Sequence, residues 1–211
     1  VCSRSDRPEV PQGIVQQGFR QNHIKLTMNR TVKCDLYRYL NQEYSFSVFL
    51  RGLRIPGFRY TYFLRMASGK RKGSFSWIFL RLLLRRYSYR FGFQIPYNAR
   101  IGEGFYIGHS GTVIVNEQAV IGKNCNISPG VTIGQTNRGA KAGTPVIGDY
   151  VWMGTNSVIV GGITIGTDVM IAPGAFVNFD VPDHSIVIGN PGKIISRAHA
   201  TEGYIDFVRP E

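Results

Sequence analysis

Acid is what this chain most lacks. Against 25 Lys and Arg it carries 13 Asp and Glu, and the shortfall lies in the front: residues 1–94 hold 18 basic side chains and 4 acidic ones, whereas the remainder is close to balance. No nucleic-acid-binding module accompanies that charge, so nucleic acid is not an expected partner. No apolar run reaches the about 20 residues of a membrane span. The N-terminus has no basic-then-apolar signal layout, and a cytoplasmic location is the expectation. Cysteine is too sparse for an even disulfide framework. Cys2, Cys34 and Cys125 read as free thiols in a reducing compartment.

What is abundant is glycine, with 25 residues, together with a strict period. From Ile95 to Val181 an aliphatic residue returns at every sixth position: Ile95, Ile101 and Ile107, then Val115, Ile121, Ile127 and Ile133, then Ile147, Met153, Ile159, Ile165, Ile171 and Val177. Four places after each sits a small residue, such as Ala119, Cys125, Ser157 or Ala175, with Phe105 and Ile163 as the bulky exceptions. This period fits neither a helical stripe repeating near about 3.6 nor the two-residue alternation of a lone strand. It fits a short strand plus a corner, repeated. Three such units close one triangular turn of a parallel β-helix whose aliphatic residues fill the axis. At about 4.8 Å per coil, about four to five turns make a prism about 20–25 Å tall. One coil cannot bury its own core, so stability resides in the stack.

The pairs Ile101-Gly102, Ile107-Gly108, Ile121-Gly122, Ile133-Gly134, Ile147-Gly148 and Ile165-Gly166 resemble the hexapeptide repeat of left-handed β-helix acyltransferases. Within that superfamily, the run from Gly108-His109-Ser110-Gly111 to Ile121, the run Ile127 to Gly134 and the ending Gly189-Asn190-Pro191-Gly192-Lys193-Ile194 resemble the serine acetyltransferase branch. The resemblance implies the left hand, acetyl-CoA as co-substrate with no metal, a homotrimer or dimer of trimers, and a place in cysteine biosynthesis.

The rest of the chain divides around the array. Residues 1–27 are polar and without period, and read as a mobile extension. Residues 28–94 read as a basic helical segment: Asp35 to Leu50 a short helix and turn, a break at Pro56-Gly57, Phe58 to Ala67 a second helix, and Phe75 to Tyr89 a third. The aromatics of the third helix are expected to pack on the first coil. Arg81, Arg85, Arg86 and Arg90 mark either its wet face or a weak contact with an anionic membrane. Residues 95–195 form the β-helix, residues 135–145 break the register as an extruded loop, and residues 196–211 form a tail. Loops thrown out of a rigid repeat are where such folds carry function.

His109 lies two places after inward-facing Ile107 and should be at the surface, where a neutral imidazole can take a hydroxyl proton. The resemblance implies that His109 is the catalytic base for direct acetyl transfer to a serine hydroxyl. By the same route coenzyme A is expected at Gly134, Gly154, Thr155, Ala172 and Pro173, with Lys193 meeting phosphate charge. Several positions depart from the family. Gln94 stands where the family has an Asp that orients the histidine, Gly108 where it has a second Asp, and Gly143-Thr144 where it has an Arg-His pair. A front-segment Asp that holds the substrate amine aligns with Gln42 or Glu43. The expected substrate contacts are therefore Gly108, Gln94, Glu43, Thr144 and Arg138, with Lys141 as an alternative cation. The tail lacks the terminal isoleucine by which family members dock a cysteine-synthase partner, so that complex is not expected.

Two other readings stay open: a sugar or polysaccharide O-acetyltransferase, and a non-catalytic binding scaffold. A γ-type carbonic anhydrase would need three converging histidines, and His109, His184 and His199 have no matching spacing.

Overall fold

The computed structural model describes residues 24–210, with side chains from Arg30 onward. Most of the expected N-terminal extension lies outside the described residues, although helix α1 (Ile24–Leu40) begins ahead of the boundary at Met28. Three more helices follow: α2 (Phe46–Gly52), α3 (Pro56–Ser68) and α4 (Phe75–Phe91). The short helix and turn expected from Asp35 to Leu50 are the end of one helix and most of a second. Asn41, at φ 50, closes α1 in the left-handed region, and Ser45 opens α2 by accepting from the Val48 N–H at 3.2 Å. Pro56-Gly57, read as a break, starts α3 instead, because proline at the first helical position gives up an N–H the helix does not use. Ser74 caps α4, and Gly92, at φ 83, ends it.

Asp35 is not near a helix start but in the interior of α1, 1% exposed. Its carboxylate pairs with Arg65 of α3 at 3.0 Å and accepts the Phe105 N–H at 3.0 Å. Arg65 also donates to the carbonyls of Ile101 and Gly102, so one buried ion pair ties two helices to the first coil. Removing either partner alone would leave the other charge buried, at a cost of about 3–5 kcal/mol.

The remainder is a parallel β-solenoid of about five turns. Its first face stacks β1 (Phe93–Gln94), β4 (Val113–Val115), β7 (Thr132–Gly134), β10 (Val158–Val160) and β13 (Phe176–Val177). The second stacks β2 (Arg100–Ile101), β5 (Val120–Ile121), β8 (Val146–Ile147) and β11 (Thr164–Ile165). The third stacks β3 (Tyr106–Ile107), β6 (Asn126–Ile127), β9 (Val151–Met153), β12 (Val169–Ile171) and β14 (Ser185–Ile188), and is closed by antiparallel β15 (Lys193–Ser196). Register partners such as Ile107↔Ile127↔Met153 and Val115↔Ile133↔Ile159 put like side chains directly above one another.

The six-residue period predicted this axis residue by residue. Ile107, Ile133, Met153, Ile159, Ile165, Ile171 and Val177 are 0% exposed, as is Cys125 at its inner corner; Ile101, on the lowest coil, is only half-buried. Cys34 and Cys125 are free thiols. Among the described residues no helix is long and apolar enough to cross a membrane.

The base of the prism is covered by Tyr60, Leu64, Leu80, Leu84 and Phe91. Tyr60 and Phe93 meet edge to face at 5.2 Å, and the Tyr60 hydroxyl donates to the Ile95 carbonyl at 3.0 Å. The expectation that the aromatics of α4 pack on the first coil holds for Trp77, whose ring meets Tyr97 at 5.6 Å, but not for Phe75 or Phe79. Those two, with Ile78 and Leu82, face solvent because Leu80 and Leu84 supply the packed side.

Candidate active site

Each strand of the first face runs from an edge shared with the third face to an edge shared with the second. His109 lies in the corner between β3 and β4, and is therefore on the third-to-first edge, where its side chain is exposed. Among the described residues no hydrogen bond or ion pair engages the imidazole. A group free of partners and open to solvent can accept a proton from an incoming hydroxyl without first breaking a bond.

The main chain beneath it is held firmly. Tyr39 of α1 accepts the Ile107 N–H on its phenol oxygen at 2.8 Å and lies 3.4 Å from the Ile107 carbonyl, to which its hydroxyl donates. Burial pushes the Tyr39 phenol well above its ordinary pKa, so it stays protonated and able to donate. Gly57 at the start of α3 abuts the same peptide: a Cβ there would overlap the Ile107 carbonyl oxygen and crowd the Tyr39 hydroxyl. Two helices thus fix the main chain at Ile107, two residues before His109. At Gly108 a Cβ would come within 3.1 Å of the Tyr106 ring, which itself lies 4.5 Å from Tyr39 and under the Arg38 guanidinium. The roles of Tyr39, Gly57 and Tyr106 depend on approach between distant segments, which no local pattern shows; in the sequence Pro56-Gly57 reads only as a break.

The same edge carries most of the expected coenzyme A positions. Gly154 and Thr155 lie between β9 and β10, Ala172 and Pro173 between β12 and β13, and Lys193 opposite Ile188 at the top of the third face. The corners are stitched together: Gly154 donates to the Ile171 carbonyl at 2.8 Å and Gly174 to the Thr155 carbonyl at 2.9 Å. Thr155, Pro173 and Lys193 are exposed, and a Cβ at Gly174 would meet nothing within 4 Å. A strip that exposes Thr155, Pro173 and Gly174 and ends in an ammonium suits a long phosphorylated ligand lying along it. Gly134 stands apart. It ends β7, on the opposite edge of the first face.

The loop of residues 135–145 leaves from that opposite edge too. Thr136 and Gly143 pair across its base at 2.8 and 3.0 Å, and Lys141 is tied to Asp180, so Lys141 is not a free cation. Arg138 is exposed and Thr144 half-buried. At about 3.3 Å per residue, the three-residue strands of the first face separate this loop from His109 by about 10 Å plus a corner. One chain does not bring them together. Gln94 lies on the first face in register with Ile114, exposed, and lines a cleft of about 640 Å³ together with Arg81, Arg85, Tyr89 and Tyr97. The Glu43 carboxylate is bound by Arg209 through contacts of 3.0 to 3.3 Å.

That contact belongs to the C-terminal tail, for which the sequence shows no local pattern. The tail folds back down the third face, where the Tyr204 ring lies 4.9 Å from Trp152 and its carbonyl accepts from Asn126 at 2.9 Å. It is clasped on the third edge by Asp168, which accepts from Thr201 Oγ1 at 2.6 Å, from the Ala200 and Thr201 amides at 3.0 Å, and faces His184 Nδ1 at 2.8 Å. Burial alone would raise the Asp168 pKa, but the bonds from Thr201, His184 and the two amides outweigh it and hold the carboxyl at about 2. Asp168 and His184 occupy outward corner positions, on which the six-residue period is silent.

Comparison with known proteins follows the same lines. A family model described as bacterial transferase hexapeptide, six repeats, matches residues 144–178. Serine acetyltransferase 2 of Arabidopsis thaliana is 43% identical over 113 residues, covering 54% of this chain and 35% of the relative. The serine acetyltransferase of Helicobacter pylori is 32% identical over 145 residues, covering 69% of this chain and 84% of the relative. A crystal structure of Neisseria gonorrhoeae serine acetyltransferase in complex with serine superposes with a TM-score of 0.65 at 31% identity, covering 83% of this chain and 72% of that one. This chain spans about a third of the length of the plant relative. The solenoid is accordingly the left-handed parallel β-helix of hexapeptide repeats with an N-terminal helical segment.

Proposed function

The chain belongs to the serine acetyltransferase family, and from that premise we propose that it transfers the acetyl group of acetyl-CoA to the hydroxyl of L-serine. In the proposed step a ring nitrogen of His109 takes the hydroxyl proton. The oxygen attacks the thioester carbonyl, the carbon–sulfur bond breaks, and the thiolate leaves with the proton that His109 returns. Thr155, Ala172, Pro173 and Lys193 would hold coenzyme A along the edge above the imidazole, and backbone N–H groups would steady the oxyanion.

The observation that carries this reading is the alignment of His109 with those positions on one exposed edge. The placement of Arg138, Thr144 and Gly134 on the opposite edge supports a site completed by the loop of a second copy, as in a trimer. Much of the rate would then come from holding two substrates in one cleft between copies. Departures at Gly108, Gln94 and Gly143-Thr144, together with the engagement of Glu43 by Arg209, favour a second reading on the acceptor side, a sugar hydroxyl.

Thiol release from acetyl-CoA, measured with L-serine and with a panel of sugars, separates the two. Serine turnover that falls about 10²- to 10⁴-fold in His109→Ala, at unchanged melting temperature, supports the first reading. Sugar turnover without serine turnover replaces it with the second. A protein whose melting temperature coenzyme A does not raise would be neither.

A further inference from the structure

Helix α4 is apolar on two opposite sides. Leu80, Leu84 and Phe91 face the prism and are 5 to 8% exposed. On the far side Phe75 is 86% exposed, Phe79 59%, Leu82 61% and Tyr89 78%, with Ile78 at 45%. These positions recur at helical spacing, so they form one stripe along the whole length of the helix. Isolated apolar side chains at a surface need no explanation, but a continuous stripe of large ones does.

The charges beside the stripe decide what can cover it. Arg86 lies within it, Arg85 and Arg90 flank it, and Lys70, Arg71 and Lys72 precede it in the turn before α4. None of the four arginines of α4 makes an ion pair among the described residues; their nearest partners are rings, such as Tyr97 for Arg81 and Tyr89 for Arg85. Helix α4 itself contains no acid. The acids of the helical segment are already used: Asp35 is buried against Arg65 and Glu43 is held by Arg209. Two copies meeting through this stripe would therefore set arginine against arginine with nothing to neutralise them. A fitting partner brings anions and apolar depth together, in one plane.

We propose that the outer face of α4, with the basic turn before it, is a docking surface for an anionic lipid bilayer. Phe75, Ile78, Phe79, Leu82 and Tyr89 would enter the acyl boundary while Arg85, Arg86, Arg90 and the Lys70–Lys72 turn contact headgroup phosphates. The inference is independent of the acceptor, because it uses no residue assigned to acetyl transfer.

Flotation of the full chain with phosphatidylcholine vesicles, with and without phosphatidylglycerol, tests it. The protein should float only with the anionic vesicles, and less as salt rises. F79S combined with L82S should lower the bound fraction by at least about tenfold, from the lost burial of two large apolar groups. R86Q combined with R90Q should weaken binding comparably while leaving the stripe intact. Both double variants alter exposed side chains, and unchanged melting temperature and acetyl transfer would certify their folds. Absence of flotation, or flotation indifferent to both variants, overturns the proposal. So does a native assembly whose mass drops in the F79S/L82S variant, which would mean that a second copy covers the stripe.

Discussion

Replacing Asp168 with Asn removes a negative charge that four donors converge upon, and the consequence can be worked from its titration. A carboxyl held at about 2 instead of its ordinary 3.8 corresponds to about 2.4 kcal/mol of folded-state preference for the charged form, at about 1.36 kcal/mol per pH unit. Asp168 is 14% exposed but its partner His184 is 60% exposed, so solvent screening reduces this to about 1–2 kcal/mol. Because the folded-state pKa is the lower one, this stabilisation is fully present above the ordinary carboxyl pKa and disappears as pH falls through about 2. In a chain of this size each kcal/mol moves the melting temperature by about 2–4 °C. The expected result is that Asp168→Asn melts about 2–8 °C lower than the parent near neutral pH, with the gap closing in acid. Protease cleavage near residue 200 should quicken in the same variant, since the tail loses its anchor. A gap that is absent near neutrality, or that persists unchanged into strong acid, would refute the assignment of Asp168 as the charged clasp.

Gly57→Ala should destabilise the protein by about 1–3 kcal/mol, the range for overpacking a tight site, and should depress kcat more than KM by shifting the main chain at Ile107, two residues before His109; thermal melts and acetyl-transfer kinetics check both parts. The Cys125 thiol, pushed up to about 12 by burial, should resist alkylation in mild base until the prism is unfolded, as mass spectrometry after timed labelling would reveal. Cys34, also raised by burial, should react slowly but ahead of Cys125, because it is 8% exposed where Cys125 is 0%.

The solenoid was legible because its signal is redundant. Each aliphatic position from Ile107 to Val177 repeats the same constraint, and a single error in register would have put isoleucines in water. His109 was legible for a related reason: its offset from Ile107 fixed it at the surface, and the neighbouring motif supplied a chemistry. The helical segment was less readable. Its aromatics serve the base of the prism, the junction with the first coil and open solvent alike, so the helical period of α4 shows two apolar faces, those of Phe79 and of Leu80, without showing which one packs. The tail clasp was invisible, since Asp168 and Thr201 are far apart in sequence and each is unremarkable there. Glu43, favoured by loose alignment as a substrate contact, meets Arg209 for the same long-range reason.

The width of one face between His109 and the loop of residues 135–145 has a genetic corollary. If each reaction centre draws its imidazole from one polypeptide and its covering loop from a neighbour, a lesion in one part can be complemented by a lesion in the other. Polypeptides lacking the imidazole and polypeptides lacking the loop, made in the same cell, would rebuild a fraction of working centres wherever an intact loop happens to meet an intact imidazole. Turnover would thus be inherited by junctions rather than by individual molecules.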